Sequence, residues 1–199
     1  MRANCLFKLI AGLSNPKRYS GTRHNVGELF VKFFSKKFGN KLVQNKKFFG
    51  KIDKLSFLNS KVFLLVSDLY MNNNGIAISH FCNFYHICPK KILVVHDELD
   101  LPPGSLRIKI GGSYNGHKGV LSVEEKLGSS EFYRLRIGIG RPYKNQKVSE
   151  FVLNFPDRLD RELISLAINR ASSYLYSAIQ KDICFSKIQN YINSINYKF

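Results

Sequence analysis

Residues 92–100 read Ile-Leu-Val-Val-His-Asp-Glu-Leu-Asp. An apolar run of this length matches a buried strand in a sheet covered on both faces. It breaks into charge at His96-Asp97. A buried strand that ends on a carboxylate holds that carboxylate rigidly at the edge of the sheet. In α/β sheets, sites form beyond the carboxyl ends of the strands. Fold and site therefore both depend on whether the rest of the chain alternates strands with helices.

It does. Residues 6–11, 51–57, 61–66, 106–110 and 134–140 read as further strands. A helix is predicted from Asn25, where Glu28 completes a capping-box pattern and Phe30, Phe33 and Phe34 form an apolar face. Others are predicted from residues 72–74, with Ala77, Phe81 and Phe84 on one face, over 116–127, and over 157–180. No internal repeat or linker divides the chain. The expected class is α/β, a sheet with helices on both faces. One domain is expected over residues 1–199. The tail from about residue 183 shows no clear pattern and is expected to be poorly ordered.

Composition narrows the function. A chain of 199 residues suffices for one core and is marginal for two. With 16 Phe and 10 Tyr it does not belong among disordered sequences. The formal net charge of +17 implies a polyanionic partner, either nucleic acid or an anionic membrane surface. No apolar run reaches membrane-spanning length. Lys8 interrupts the apolar stretch near the start, and Asn15-Pro16 follows where a signal peptide would need its cleavage site. The four cysteines, Cys5, Cys82, Cys88 and Cys184, form no C-x-x-C pair. Their scatter fits reduced thiols rather than a disulfide framework. A cytoplasmic, nucleic-acid-binding protein is expected.

The strand-end rule selects the loops at 14–16, 69–72, 96–98 and 111–119, which hold much of the unusual polar chemistry. His24, in Thr-Arg-His-Asn-Val-Gly at 22–27, is either a helix-start residue or a general base. As a base it needs a carboxylate to fix its tautomer, and Asp97 is the candidate. The positive end of the helix dipole is expected to keep its ring neutral. Asn15 and Asn72 each follow a strand, and their amides suit gripping a peptide backbone or polarising a carbonyl. Asn73 and Asn74 read as turn and cap residues. A metal cluster at His96, Asp97, Glu98 and Asp100 is the weaker reading, because consecutive residues on an extended segment point in alternate directions. No G-x-S-x-G elbow and no catalytic cysteine signature is present, so water attack under general-base catalysis is preferred to an acyl-enzyme. Arg107, Lys109, Lys118, Arg134, Arg136, Arg141, Lys144 and Lys147 crowd the later half of the chain. Arg107 with Lys109, and Arg134 with Arg136, share strand faces, and adjacent strands of this kind would form a phosphate-binding stripe.

Six ordered segments carry a resemblance: KLIAGLSNP, YSGTRHNVG, LYMNNNG, VVHDELDLPPG, GGSYNGHKG and RLRIGIGRP. Together they resemble bacterial-type peptidyl-tRNA hydrolase over nearly the whole chain. The resemblance implies a single α/β domain around a twisted, mixed, largely parallel sheet. It further implies a monomer without a cofactor or metal that hydrolyses the ester between a peptide and the 3′ ribose of tRNA. His24 becomes the base and Asp97 its partner. Asn15 and Asn72 bind the peptide backbone, Tyr70 and Met71 line the channel, and Tyr19 contacts substrate near the ester. Lys109 and Arg136 match the clamp for the tRNA 5′ phosphate. Two departures touch the site. Lys118 stands in "GHKG" where the family has asparagine, giving donors but no acceptor. Lys17 stands where the family has glycine after Asn15-Pro16, in a loop one residue shorter. An RNA-binding protein that does not hydrolyse its ligand is the alternative on the same scaffold.

Overall fold

A computed structural model describes residues 6–58, 60–143 and 145–197. Cys5 and Lys144 lie outside the described residues. The centre is a seven-stranded sheet. In chain order the strands are β1 (Leu9–Gly12), β2 (Val43–Asn45), β3 (Gly50–Phe57), β4 (Ser60–Ser67), β5 (Ile92–Glu98), β6 (Leu106–Ile110) and β7 (Tyr133–Gly138). Their spatial order is β2-β3-β4-β1-β5-β7-β6. The β4-β1-β5-β7 centre is parallel, while β2, β3 and β6 add antiparallel edges. The sheet is therefore mixed, with the parallel part buried as such sheets require.

Among the described residues six α-helices accompany it: α1 (Val26–Phe38), α2 (Asn74–Tyr85), α3 (Lys118–Leu127), α4 (Val148–Leu153), α5 (Arg158–Gln180) and α6 (Phe185–Ser194). Helices α1, α5 and α6 pack on the face that presents Ile10, Leu64, Leu93 and Val95. Helices α2 and α3 cover the face that presents Leu9, Ala11, Leu65 and Val94. Every residue of β5 is buried, which is why Ile92–Val95 is apolar without alternation.

Several local expectations change. Asn25 does not cap α1. A 3₁₀ turn over Arg23–Asn25 leads straight into the helix, and Asn25 has φ −101°, ψ 16°, outside the extended region a cap requires. Its Nδ2 does donate to Glu28 at 3.0 Å. Phe84 is 51% exposed, so the apolar face of α2 is carried by Ala77, Ile78 and Phe81. In the tail, where no element was expected, α6 docks on edge strand β6. Asn193 Oδ1 accepts from the Ile108 N–H at 2.7 Å, and Gln189 donates to the Ile108 carbonyl at 3.1 Å. Side chains thus occupy the open backbone groups of the edge.

Two glycines position the site. A Cβ on Gly12 would lie 2.3 Å from the Gly27 carbonyl oxygen, and one on Gly27 would lie 2.3 Å from the Val95 oxygen. With no side chain at either place, the first turn of α1 closes onto the ends of β1 and β5. His24 and Asp97, distant in sequence, are brought together by that approach.

Candidate active site

A cleft of about 670 Å³ runs across the carboxyl ends of the strands. Its floor includes Asn15, His24, Met71, Asn72 and Asp97, its wall includes Glu98 and Tyr114 to Lys118, and α4 lies over it through Val148, Ser149, Val152 and Leu153.

Asp97 is buried at the end of β5 and lies against two histidines. His24 Nδ1 lies 2.9 Å from its Oδ1 and 3.0 Å from its Oδ2. His117 Nε2 lies 2.9 Å from Oδ1. The tautomer of His117 follows from its other nitrogen. Nδ1 accepts from the Gly119 N–H at 3.1 Å and the Val120 N–H at 3.3 Å, so the ring proton is on Nε2 and is donated to Asp97. The same imidazole caps α3 and orients the carboxylate. Sequence reading assigned His117 no role; its signal was the position of "GHKG" between a glycine loop and a helix.

Burial works against protonation of His24, but the Asp97 charge and hydrogen bond outweigh it and raise the pKa above 6.5. The helix-start expectation of a lowered value is thereby reversed: a carboxylate in contact exceeds the field of a helix end. Burial alone would raise Asp97, yet His24 and His117 hold its carboxyl well below the usual range. Nδ1 of His24 donates to Asp97, so Nε2 is the ring nitrogen left to accept a proton. It has no protein partner among the described residues.

The asparagines divide the work. Asn15 is buried, and its Oδ1 accepts from the Met71 N–H at 3.0 Å. Among the described residues its Nδ2, itself buried, has no partner, and the residue lines the cleft. Asn25 holds it there, accepting from the Asn15 N–H at 2.9 Å and donating to the Asn15 carbonyl at 3.0 Å. Asn74, read as turn chemistry, is fully buried and ties the loops together through Ser14 N–H at 2.9 Å, Ser14 O at 2.8 Å and Tyr70 O at 2.9 Å. Asn72 is exposed and lines the cleft, as does Lys118 at the start of α3. Met71 is buried in the lining. Tyr19 and Tyr70 lie outside the lining, where both rings meet the Arg18 guanidinium.

Arg23, next to His24 in the same turn, is buried with its guanidinium 4.2 Å from the Phe151 ring centroid. It donates to the Phe155 carbonyl at 2.6 Å and to Asp160 at 3.3 Å. It therefore fastens α4 and the start of α5 to the turn bearing His24.

Strands β6 and β7 set Arg107 opposite Arg136 and Lys109 opposite Arg134. The four cations are adjacent, but they are not equally available. Arg134 is buried, bonding Glu124 at 2.7 Å and the Ser113 carbonyl at 2.8 Å, and also the Gly112 carbonyl. It braces the glycine loop instead of facing solvent. Arg107 bonds the Leu106 and Asn193 carbonyls. Arg136 pairs with Glu98 at 2.8 Å. Lys109 has a lowered pKa, from partial burial and from Arg136 and Arg134 nearby. A site that crowds cations in this way favours an anion.

The residues of "HDELD" separate to different partners. His96 Nδ1 donates to the Asp97 carbonyl at 2.7 Å, Asp97 meets His24 and His117, Glu98 meets Arg136, and Asp100 meets Arg141. Ligand atoms of His24, Asp97 and His117 do lie within 4.8 Å of one another. They fit a resident cation poorly. The proton of His117 Nε2 already points at Asp97, and the backbone donors on Nδ1 hold it there.

The sequence profile described as Peptidyl-tRNA hydrolase matches residues 9–198. A peptidyl-tRNA hydrolase of Pasteurella multocida is 42% identical over 189 residues, covering 94% of this chain and 96% of that protein. One from Actinobacillus pleuropneumoniae is 45% identical over 166 residues, 82% of this chain and 86% of its own. The crystal structure of peptidyl-tRNA hydrolase from Acinetobacter baumannii superimposes with a TM-score of 0.89 at 36% identity, covering 96% of this chain and 97% of that one. The chain belongs to the peptidyl-tRNA hydrolase family.

Proposed function

We propose that the chain hydrolyses the ester between a peptide and the 3′ ribose of tRNA, with His24 as general base and water as nucleophile. The observation that carries this reading is the His24–Asp97–His117 constellation in a cleft lined by Asn15, whose buried Nδ2 has no partner among the described residues. His24 Nε2 takes a proton from water as the oxygen attacks the ester carbonyl. The developing oxyanion accepts from Asn15 Nδ2, a donor already oriented before substrate arrives. Asp97 stabilises the imidazolium without itself becoming protonated. Collapse of the tetrahedral intermediate returns the proton to the departing ribose oxygen, freeing tRNA and the peptide acid.

Asn72 and Lys118 contact the peptide from the exposed wall, Met71 supplies apolar lining, and Lys109 and Arg136 hold the 5′ phosphate. The reading extends to a cytoplasmic monomer that needs no cofactor. No helix among the described residues is long and apolar enough to cross a membrane.

Turnover of a defined peptidyl-tRNA by pure protein tests this directly. His24→Ala is expected to bind tRNA and to cleave it at least a hundredfold more slowly, at the low end of the roughly 10²–10⁴-fold effect of a general base. Wild-type protein that binds tRNA but never releases peptide would instead be an RNA-binding member of the scaffold. A chelator is expected to leave turnover unchanged.

A further inference from the structure

We infer that Arg18 selects among peptides, favouring substrates with acidic side chains close to the ester. The inference rests on the hydrolase reading and adds the direction in which the peptide leaves. Lys109 and Arg136 sit on β6 and β7, His24 meets Asp97 above β5, and the loops after β1 and β4 carry Asn15 and Tyr70. At ~4.8 Å between strands, β4 lies roughly 14 Å from β7 and 19 Å from β6. A tRNA anchored over β6 and β7 with its ester at His24 sends its peptide toward β1 and β4.

Arg18 stands on that side. It is exposed, its guanidinium lies 4.9 Å from the Tyr19 ring centroid and 5.4 Å from that of Tyr70, and Nη2 donates to the Tyr70 hydroxyl at 2.5 Å. Two aromatic rings hold a side chain that would otherwise lose much freedom on pairing. Among the described residues no carboxylate pairs with it. The carboxylates bordering the cleft are already engaged, Asp97 by two histidines, Glu98 by Arg136 and Asp100 by Arg141. Lys17 and Lys118 are exposed and add to the same sign. Beyond the cleft lining, the surface on the β1 and β4 side thus presents an aromatic-backed guanidinium fork with no carboxylate partner among the described residues.

The test uses two N-acetylated tripeptidyl-tRNAs with the same tRNA and the same ester-linked residue, carrying Asp or Lys at both preceding positions. Wild-type protein is expected to show about a two- to fivefold higher kcat/KM for the Asp substrate, the range of an exposed ion pair. Arg18→Ala should bring the ratio toward one, and Arg18→Glu should invert it. In wild-type protein the ratio should also shrink as salt rises, because exposed pairs are screened. Equal kcat/KM for both substrates, a salt-independent ratio, or a ratio that Arg18→Ala leaves unchanged overturns the inference while the hydrolase reading stands. Cleavage of neither substrate overturns both.

Discussion

His117 donates from Nε2 to Asp97 Oδ1 at 2.9 Å while its Nδ1 accepts the first backbone N–H groups of α3. One imidazole therefore carries the position of a helix to the carboxylate that orients His24. His117→Ala removes a donor to a buried charge, an interaction worth about 1.5–3 kcal/mol. A loss of roughly 10- to 100-fold in kcat is expected. The acid limb of the rate profile should also move to higher pH, since an Asp97 with fewer donors interacts more strongly with His24. A wild-type pH profile in this variant would show that His117 serves α3 alone.

The pH dependence of the unmodified protein follows from the raised pKa of His24. The base works when neutral, so kcat/KM should rise with pH and level off only above the ordinary histidine value near 6.5. Asp97→Asn removes the charge that raises the pKa and keeps at most a neutral hydrogen bond against burial, which lowers it. Its acid limb should move to lower pH while kcat falls by about 10²–10⁴-fold. Kinetics across pH 5 to 9 measure both effects.

Asn25 reaches neither water nor ester in the proposed mechanism, yet it binds Asn15 through two hydrogen bonds. Asn25→Ala leaves a buried N–H and carbonyl without partners, which costs about 1–3 kcal/mol for each group. Lower unfolding stability is expected, together with reduced kcat as the Asn15 donor drifts from its direction. Asn15→Ala should lower kcat with a smaller loss of stability, since it leaves one buried group, the Met71 N–H, without a partner where Asn25→Ala leaves two. Denaturant unfolding and turnover on the two variants separate positioning from contact.

The clamp residues should differ in how cleanly they respond. Lys109→Ala is expected to weaken tRNA binding and lower the salt slope of log K by about one. Arg136→Ala leaves buried Glu98 without its cation, so a stability loss should accompany weaker binding. Glu98→Gln frees Arg136 and should tighten tRNA. Binding titrations across a salt series, with unfolding controls, read all three.

Much of this was legible in order along the chain. The run at 92–97 announced a buried strand, and alternating strands and helices announced the sheet class, because periodicity is a local property of sequence. The pairing of Arg107 with Arg136 and Lys109 with Arg134 was legible in part, since alternation fixes the face a side chain takes. Availability was not. Glu124 and two loop carbonyls claim Arg134, and nothing in its own segment announces them. The tail failed for a related reason. Helix α6 is polar along most of its length, and its role depends on the open edge of β6, a strand far away in sequence.

By itself the sequence determined which polar residues stand at the strand ends and at the start of the first helix: His24 and Asp97, which can exchange protons, and Asn15 and Asn72, whose amides can only hydrogen-bond. Tertiary structure alone decided which atoms of those residues remain free. The closeness of Gly12 and Gly27 seats α1 on the sheet, Asp97 takes Nδ1 of His24, Met71 takes Oδ1 of Asn15, and His117 enters from the opposite face. Each polar group satisfies itself with whatever folding brings within about 3 Å. A sequence names the donors and acceptors, but only the folded chain determines which are left for a substrate.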